Sequence, residues 1–436
     1  MGAVIGTAAS GTLADSVGRQ KTLVASSALF LTGGMLMGWS PTPATLIAGR
    51  FVGGMAAGVV SAAVPTYIAE CAEPSQRGAL ATLPQFCVSS GILLSYLVAL
   101  ASLLYGGSWR LMLGLSLVPA LAQALVVLSL PESPRWLLTK RPGDRGKEQA
   151  VSALRALRGK EDVSEELEQI RAGLAAEATG SKDDGGGSTV ASKWLGVSTM
   201  LSNPQARRAL FVCSALQLFQ QFCGVNAIVY FTPLILKQAG APALFASWGV
   251  SSDAAAMLAT VLAYLPKIPS VLLATYLIDR MGRRWMLQAF IPPLTICLAV
   301  LAVTVGGGVG AAAAAAPTAL SAAAATAAIT LFGVFFGMSL GPLPNILSAE
   351  LFPTSVRASG VAATTTVQWL SNMLVAALFP VLTASLGMRT VLNGFALVCV
   401  LAWLVVLACV PETKGLALES IGAGATTGQA QRKKDE

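Results

Sequence analysis

Eleven apolar segments, joined mostly by short polar connections, constrain what this chain can fold into. A helix needs about 20 mainly apolar residues to cross a bilayer, and all the segments except the first are about that long or longer. Only 11% of the residues are charged, against about 25% in soluble domains. The sequence therefore predicts an all-α, polytopic membrane protein. The segments are 1–14, 21–39, 43–69, 79–104, 109–130, 208–237, 253–278, 285–306, 318–348, 358–386 and 390–410.

Three side-chain amides interrupt the apolar segment 208–237. They belong to Gln220, Gln221 and Asn226, and Gly224 between them allows the helix to break. A buried amide without partners is costly, so these side chains should face each other or a polar cavity. Such a cluster at mid-depth suits a small polyhydroxylated solute. A polar seam that joins two helices is the alternative.

The charged residues predict the orientation of the chain in the membrane and argue against a nucleic-acid-binding protein. Of the 29 Lys and Arg residues, 24 fall on the side of the long central segment, which the positive-inside rule places in the cytosol. That rule explains the net charge of +8 better than nucleic-acid binding does. The exceptions are Arg50, Arg110, Lys237, Lys267 and Arg389.

No histidine is present, which removes the commonest metal ligand and general base. The seven cysteines form no CxxC pair and lie in or beside apolar segments, so we expect small core residues. We therefore expect that the protein is not an enzyme and that it holds no metal ion or cofactor.

A polar stretch divides the apolar segments into two groups. We predict a helix bundle at 1–130, a cytosolic linker at 131–205, a second bundle at 206–411 and a cytosolic tail at 412–436. Apolar spacing within the linker predicts short amphipathic helices at 149–158 and 163–177.

Three charged motifs occur twice, in the same order, and the repeat predicts two pseudo-symmetric bundles. Asp15-x-x-Gly18-Arg19 recurs 264 residues later, and the other two motifs recur after 280 residues. We expect their charges to pair across the bundles at the cytosolic helix ends and to bias a two-state equilibrium. Simple anchoring in the cytosol is the alternative. The predicted gating network comprises Asp15, Arg19, Glu70, Arg77, Glu132, Arg135, Asp279, Arg283, Arg284, Glu350, Arg357 and Glu412.

Eight motifs occur in an order that resembles the sugar porter family of the major facilitator superfamily. They are Gly11-x-x-x-Asp15-x-x-Gly18-Arg19, Pro65-x-Tyr67-x-x-Glu70-x-x-x-Pro74-x-x-Arg77-Gly78, Trp109-Arg110, Pro131-Glu-Ser-Pro-Arg-Trp-Leu137, Gln220-Gln221-x-x-Gly224-x-Asn226, Asp279-x-x-Gly282-Arg283-Arg284, Gly341-Pro-Leu-Pro344 and Pro411-Glu-Thr-Lys-Gly415. The resemblance covers the whole chain and implies twelve spans, of which about eleven are present. It also implies a sugar site between the bundles, at Gln85, Gln220, Gln221, Asn226, Trp369 and Asn372. For Trp369 alone, an ordinary lipid or core contact is the alternative.

Two positions depart from the family pattern. Asn345 stands where the family usually has Trp, and Lys267 stands where hexose carriers often have Asn. Lysine at this place is similar to the plant polyol branch, and we expect Lys267 and Asn345 to contact the solute. A Lys267 that snorkels or loses its proton is the alternative.

Arg50 matches an arginine that, in proton-coupled members, pairs with an acidic residue on the first helix. That helix is not in this sequence, so we expect upstream codons to encode it. An eleven-span defective product is the alternative.

The sequence thus predicts alternating-access transport of a monosaccharide or polyol, coupled to protons. A sugar sensor, or a carrier of an organic anion or phosphate, is the competing function.

Overall fold

The computed structural model describes residues 1–73, 77–141, 143–180, 204–305, 318–352 and 356–412. The regular structure in these ranges is helical. The side chains of the predicted gating residues Arg77, Asp279 and Arg357 lie outside that description. The helices are α1 (Gly2–Val17), α2 (Arg19–Gly38), α3 (Pro43–Cys71), α4 (Arg77–Tyr105), α5 (Trp109–Gly114), α6 (Leu117–Ser129), α7 (Pro134–Lys140), α8 (Asp144–Arg158), α9 (Ser164–Gly180), α10 (Pro204–Phe222), α11 (Val225–Gln238), α12 (Ser252–Tyr264), α13 (Lys267–Met281), α14 (Arg283–Thr304), α15 (Ala319–Met338), α16 (Leu343–Leu351), α17 (Arg357–Leu386) and α18 (Met388–Cys409). A 3₁₀ stretch covers Ala241–Trp248.

Nine stretches of the described residues are long and apolar enough to cross a membrane. This count is roughly consistent with the eleven predicted segments. The two others are α1, which has only 16 residues, and α2, which begins with charged Arg19 and Lys21. The chain is therefore a multi-pass membrane protein.

Packing groups the chain into two compact units, Met1–Pro84 with Gly107–Ser192 and Gln85–Gly106 with Lys193–Glu436. Helix α4 contributes its first residues to the first unit and the remainder to the second. The predicted domain boundaries at 130, 205 and 411 were based on the order of apolar and polar segments in the sequence, whereas the two units reflect packing. The boundaries stay predictions.

Small residues bring the helices of the first unit close together. A side chain at Gly58 of α3 would clash with the backbone carbonyl of Ala3 in α1. The Ser10 hydroxyl of α1 donates to the Val59 carbonyl, with 3.0 Å between the two oxygens. Lipid offers little hydrophobic drive for association, so close backbone contact and interhelical hydrogen bonds hold such helices together.

The predicted linker helices are present, since 149–158 lies within α8 and 163–177 falls almost wholly within α9. Leu154 of α8 and Leu167 of α9 pack with Trp136 of α7 in a small apolar core. Arg158 joins this core to α3, because its guanidinium pairs with Glu166 and also donates to the Cys71 carbonyl at 2.9 Å. The hydrogen bonds to Glu166 raise the pKa of Arg158, so the charge on which this junction depends is permanent.

The second unit has one extensive apolar core, built from α10 to α18. Helix α10 ends at Phe222, and α11 begins at Val225. Gly224, directly before α11, adopts the left-handed conformation with φ +84°. A Cβ on Gly224 would overlap the ring of Phe395 from α18. The helix break and the close approach of α18 therefore both require glycine here.

We predict that Gly224→Ala destabilises the protein by about 2–5 kcal/mol, since it combines a left-handed Ala with overpacking. The apparent melting temperature of the purified protein in detergent measures this loss. Gly394→Ala on α18 is the control, because its Cβ would meet nothing within 4 Å. Equal melting temperatures for the two variants would contradict the assigned role of Gly224.

Candidate functional site

Three apolar stretches of the second unit are broken along their length. Helix α10 gives way to α11 at Gly224, α12 to α13 at Leu265 and Pro266, and α15 to α16 between Ser339 and Pro342. A helix break frees backbone polar groups, which inside a membrane are tolerated only against protein or a polar cavity. The breaks therefore mark places where the apolar part of this unit must supply polar partners.

The amide of Gln220 uses all its hydrogen-bonding capacity on protein. Its Nε2 donates to the carbonyls of Leu340 and Gly341, both at 2.8 Å, at the break between α15 and α16. Its Oε1 accepts from Gln221 at 3.0 Å and from Gln368 of α17 at 2.9 Å. Two donors and two acceptor sites exhaust a carboxamide, so Gln220 forms the interhelical polar seam that was the alternative interpretation of the sequence. Its predicted contact with a solute stays a prediction.

The other two predicted amides continue from Gln220 across the helix break. Asn226 of α11 donates through Nδ2 to Gln221 Oε1 at 2.6 Å. Gln221 is buried and Asn226 half-buried. Gln220, Gln221 and Asn226 thus form one amide chain, and the bonds among described residues leave its Asn226 end with hydrogen-bonding capacity for another group.

Helix α17 adds two predicted residues and one that the sequence analysis missed. Gln368 joins the amide chain through Gln220, while half-buried Trp369 has an enclosed indole N–H with no partner among the described residues. Asn372 lies one turn from Gln368, also half-buried. An amide within an apolar segment singled out Gln220 in the sequence, and the same signal applies to Gln368.

A second missed residue is Gln217, one turn before Gln221 on α10. Its side chain is 0% exposed, and its Nε2 donates to Asn345 Oδ1 of α16 at 2.7 Å. Asn345 itself is exposed. The departure from the family pattern at Asn345 thus comes with a polar partner on the neighbouring helix.

Lys267 begins α13, immediately after the second break, and is 5% exposed. Its Nζ lies 4.9 Å from the ring centroid of Tyr264 and 5.5 Å from that of Phe336. Throughout the described residues, no carboxylate lies within ion-pair distance of this ammonium group. Aromatic faces attract a buried cation, so these two rings offset part of the cost of burying Lys267.

Of the predicted residues, the described hydrogen bonds join Gln220, Gln221 and Asn226 into the amide chain, and they do not extend to the others. Gln85, near the start of α4, is half-buried and has no side-chain hydrogen bond within the described ranges. Arg50 is exposed on α3, and no acidic partner for it occurs in the part of the chain that is described. Their roles in binding and proton coupling stay predictions.

The charged repeat folds into one arrangement in the first unit. Glu132 accepts from the backbone N–H groups of Arg19 and Gln20, at 2.8 and 3.1 Å, so its carboxylate caps the start of α2. The Arg19 guanidinium binds Glu70 at 2.9 Å and Asp15 at 3.2 Å. Arg135 lies half-buried on α7.

The second unit repeats this arrangement at the expected offsets. Glu412 accepts from the backbone N–H groups of Arg283 and Arg284, at 3.0 and 3.1 Å, at the start of α14. Arg283 also binds Glu350 at 3.0 Å, and the Arg284 guanidinium donates to the Leu407 carbonyl at 2.8 Å. The pairs described here lie within one unit, whereas we expected pairs across the bundles, and that cross-bundle role stays a prediction.

Comparison with known proteins identifies the family. The sequence profile described as Sugar (and other) transporter matches residues 1–424. Probable polyol transporter 6 of Arabidopsis thaliana is 32% identical over 434 residues, covering 97% of this chain and 83% of the relative. Probable inositol transporter 2 of the same plant is 34% identical over 300 residues, which cover 69% of this chain and 48% of the relative.

Among solved structures, the inward-open xylose transporter XylE from E. coli has a TM-score of 0.74 at 26% identity, covering 97% of this chain and 86% of XylE. The broken apolar helices and these matches together place the chain among helical membrane carriers rather than enzymes. The chain belongs to the sugar transporter family, within the major facilitator superfamily.

We predict that Gln220→Leu lowers the free energy of unfolding by about 1–3 kcal/mol or more, because it leaves buried carbonyls and amides unpaired. Asn226→Leu, at the open end of the chain, should cost less. Apparent melting temperatures in detergent compare the two variants. If the Gln220→Leu protein were as stable as the Asn226→Leu protein, the hydrogen bonds of Gln220 would contribute little to the free energy of unfolding.

Proposed function

We propose that this protein carries a monosaccharide or polyol across a membrane by alternating access, coupled to protons. The observation that carries the proposal is the amide chain at the α10–α11 break, which ends on Asn226, a side chain whose donor and acceptor capacity is not filled by the described residues. Carboxamides match hydroxyl-rich ligands because each offers both functions. The relatives support the solute class, since their names describe polyol and inositol transporters.

Proton coupling has support from the structural relative, because XylE is described as a proton:xylose symporter. In this chain, Arg50 is the residue that we assign to coupling. It is a permanently charged group on an apolar helix, and such residues are typically functional.

We assign solute contact to Gln85, Gln221, Asn226, Lys267, Asn345, Trp369 and Asn372, with Gln220 supporting them. Lys267 also favours a second candidate, an anionic solute, because its ammonium group has no carboxylate partner in the described part of the chain. A buried charge without a counter-ion is unfavourable, and a solute carboxylate would neutralise it.

We further propose that the long segment after α6 and the C-terminal end are cytosolic, since this orientation places most Lys and Arg there. The Arg19–Glu70 and Arg283–Glu350 pairs then lie at the cytosolic ends of their units. We expect the charges at these ends to pair also across the bundles in a state that is closed toward the cytosol, and rocking to the inward-open state would break those cross-bundle pairs.

We predict that Lys267→Met abolishes uptake or changes its solute preference. Uptake of labelled glucose, xylose, sorbitol, inositol and gluconate into proteoliposomes, with and without a proton gradient, measures this. Lys237→Met is the matched control, because that lysine forms an exposed ion pair with Asp253. Unchanged kinetics for every solute would exclude a role for Lys267. Selective uptake of gluconate would favour the anion carrier.

For the gating network, we predict that combining Glu70→Gln with Glu350→Gln shifts the population toward the inward-open state. Distances between spin labels placed on the two units, at the charged helix ends, report this shift. Asp253→Asn is the control, since it also removes one carboxylate from an ion pair. An unchanged distance distribution would leave the pairs with an anchoring role only.

A further inference from the structure

The side chain of Tyr96 in α4 is bonded to the backbone of another helix. Its hydroxyl donates to the carbonyl oxygen of Val229 in α11 at 2.5 Å. Both residues belong to the second compact unit, because Gln85–Gly106 packs with Lys193–Glu436. An interior carbonyl of a regular helix accepts from the N–H four residues later. A carbonyl that binds a side chain of another helix therefore points to an irregularity in α11.

The irregularity is Pro233, which lies within α11 four residues after Val229. Proline has no N–H to donate, and its ring crowds the carbonyl four residues before it, which bends the helix. A backbone carbonyl inside a membrane then needs a donor from elsewhere. The Tyr96 hydroxyl is that donor, so one hydrogen bond both satisfies Val229 and joins α11 to α4.

Helix α11 depends on contacts of this kind for its position. It has 14 residues, and a glycine with positive φ adjoins each end, Gly224 at +84° and Gly240 at +95°. Because the backbone turns at both glycines, no continuous helix fixes the direction of α11. Its packing and its hydrogen bonds to neighbouring helices fix that direction instead.

The ring of Tyr96 is itself held in place. It packs edge-on against Tyr264 of α12, with 5.3 Å between the ring centroids and 83° between the ring planes. Tyr264 is only 8% exposed, and its ring also contacts the ammonium group of Lys267. Edge-to-face packing orients aromatic rings, so the hydroxyl of Tyr96 has a defined direction toward Val229.

We propose that Tyr96 is a positioning residue for the solute site, which acts through Val229 to hold Asn226 in place. This inference rests on the proposed function, in which Asn226 contacts the solute. Asn226 and Val229 are three residues apart on α11, so they lie on one face, about 4.5 Å apart along the helix axis. A shift of α11 at Val229 therefore moves Asn226 as well, whereas Gln221 stays with α10 before the break.

Tyr96→Phe tests the hydroxyl alone, because the ring and its contact with Tyr264 remain. The test measures uptake of sorbitol, inositol and xylose into proteoliposomes. For each solute that the wild-type protein transports, the KM should rise about three- to tenfold, as expected for one neutral hydrogen bond, with the maximal rate within about twofold. Tyr105→Phe is the matched control, since it removes an exposed hydroxyl from the end of the same helix and should keep the wild-type KM.

A second substitution separates positioning from stability. In Tyr96→Phe/Pro233→Ala, the N–H of residue 233 can donate to the Val229 carbonyl, so the carbonyl is satisfied without α4. The apparent melting temperature in detergent, which Tyr96→Phe lowers, should therefore recover to that of Pro233→Ala. The KM should stay raised, because α11 is still not joined to α4. Pro233→Ala alone should keep the wild-type KM, since a carbonyl has two lone pairs and Tyr96 stays bonded.

Three results would overturn the positioning role. These are equal KM values for the Tyr96→Phe and Tyr105→Phe proteins, a KM that recovers together with the melting temperature in the double variant, and a Pro233→Ala protein whose KM rises as much as that of Tyr96→Phe. If Pro233→Ala does not fold, the comparison of the two tyrosine variants decides. Wild-type protein that transports none of the three solutes would instead overturn the proposed function, and the positioning role with it.

Discussion

The requirement that every polar group inside a bilayer finds a partner governs this structure. Continuous helices meet it by themselves, but the breaks after Phe222 and Met338 do not. At the second break Gln220 meets it by donating to two backbone carbonyls, whereas at the first the backbone N–H of Gly224 donates to the Gln221 carbonyl. The breaks thus create the need for polar side chains, and those side chains fix where the broken helices meet.

A different constraint shapes the charged ends of the two units. In each, a glycine with positive φ, Gly18 or Gly282, precedes a helix whose first N–H groups bind a glutamate. A side chain on either glycine would collide with that glutamate. Glycine is therefore required twice over, for the backbone conformation and for the space, which explains why it recurs with the acidic residues. The carboxylate also balances the positive end of the helix.

The sequence predicted what depends on local pattern. Apolar periodicity predicted α8 and α9, and motif spacing placed Glu132 and Glu412 in equivalent positions. Gly224 was expected to interrupt its helix, and it does. Whether an amide faces a solute or another helix depends on packing between distant segments. The sequence therefore could not distinguish the structural role of Gln220 from the binding role proposed for Asn226. Gln217 was missed for the same reason, since its significance lies in a contact with residue 345.

For Lys267, the cost of burying the charge can be compared with the stabilisation that its described contacts provide. By insertion scales, a lysine at mid-membrane costs about 3 kcal/mol, and a desolvated cation–π contact returns up to about 2 kcal/mol. The rings of Tyr264 and Phe336 can therefore offset much of the cost of burying the charge. The aromatic faces do not act as oxygen or nitrogen acceptors, however, and an ammonium group carries three N–H donors. A polyhydroxylated solute would bring several oxygen acceptors to these donors at once.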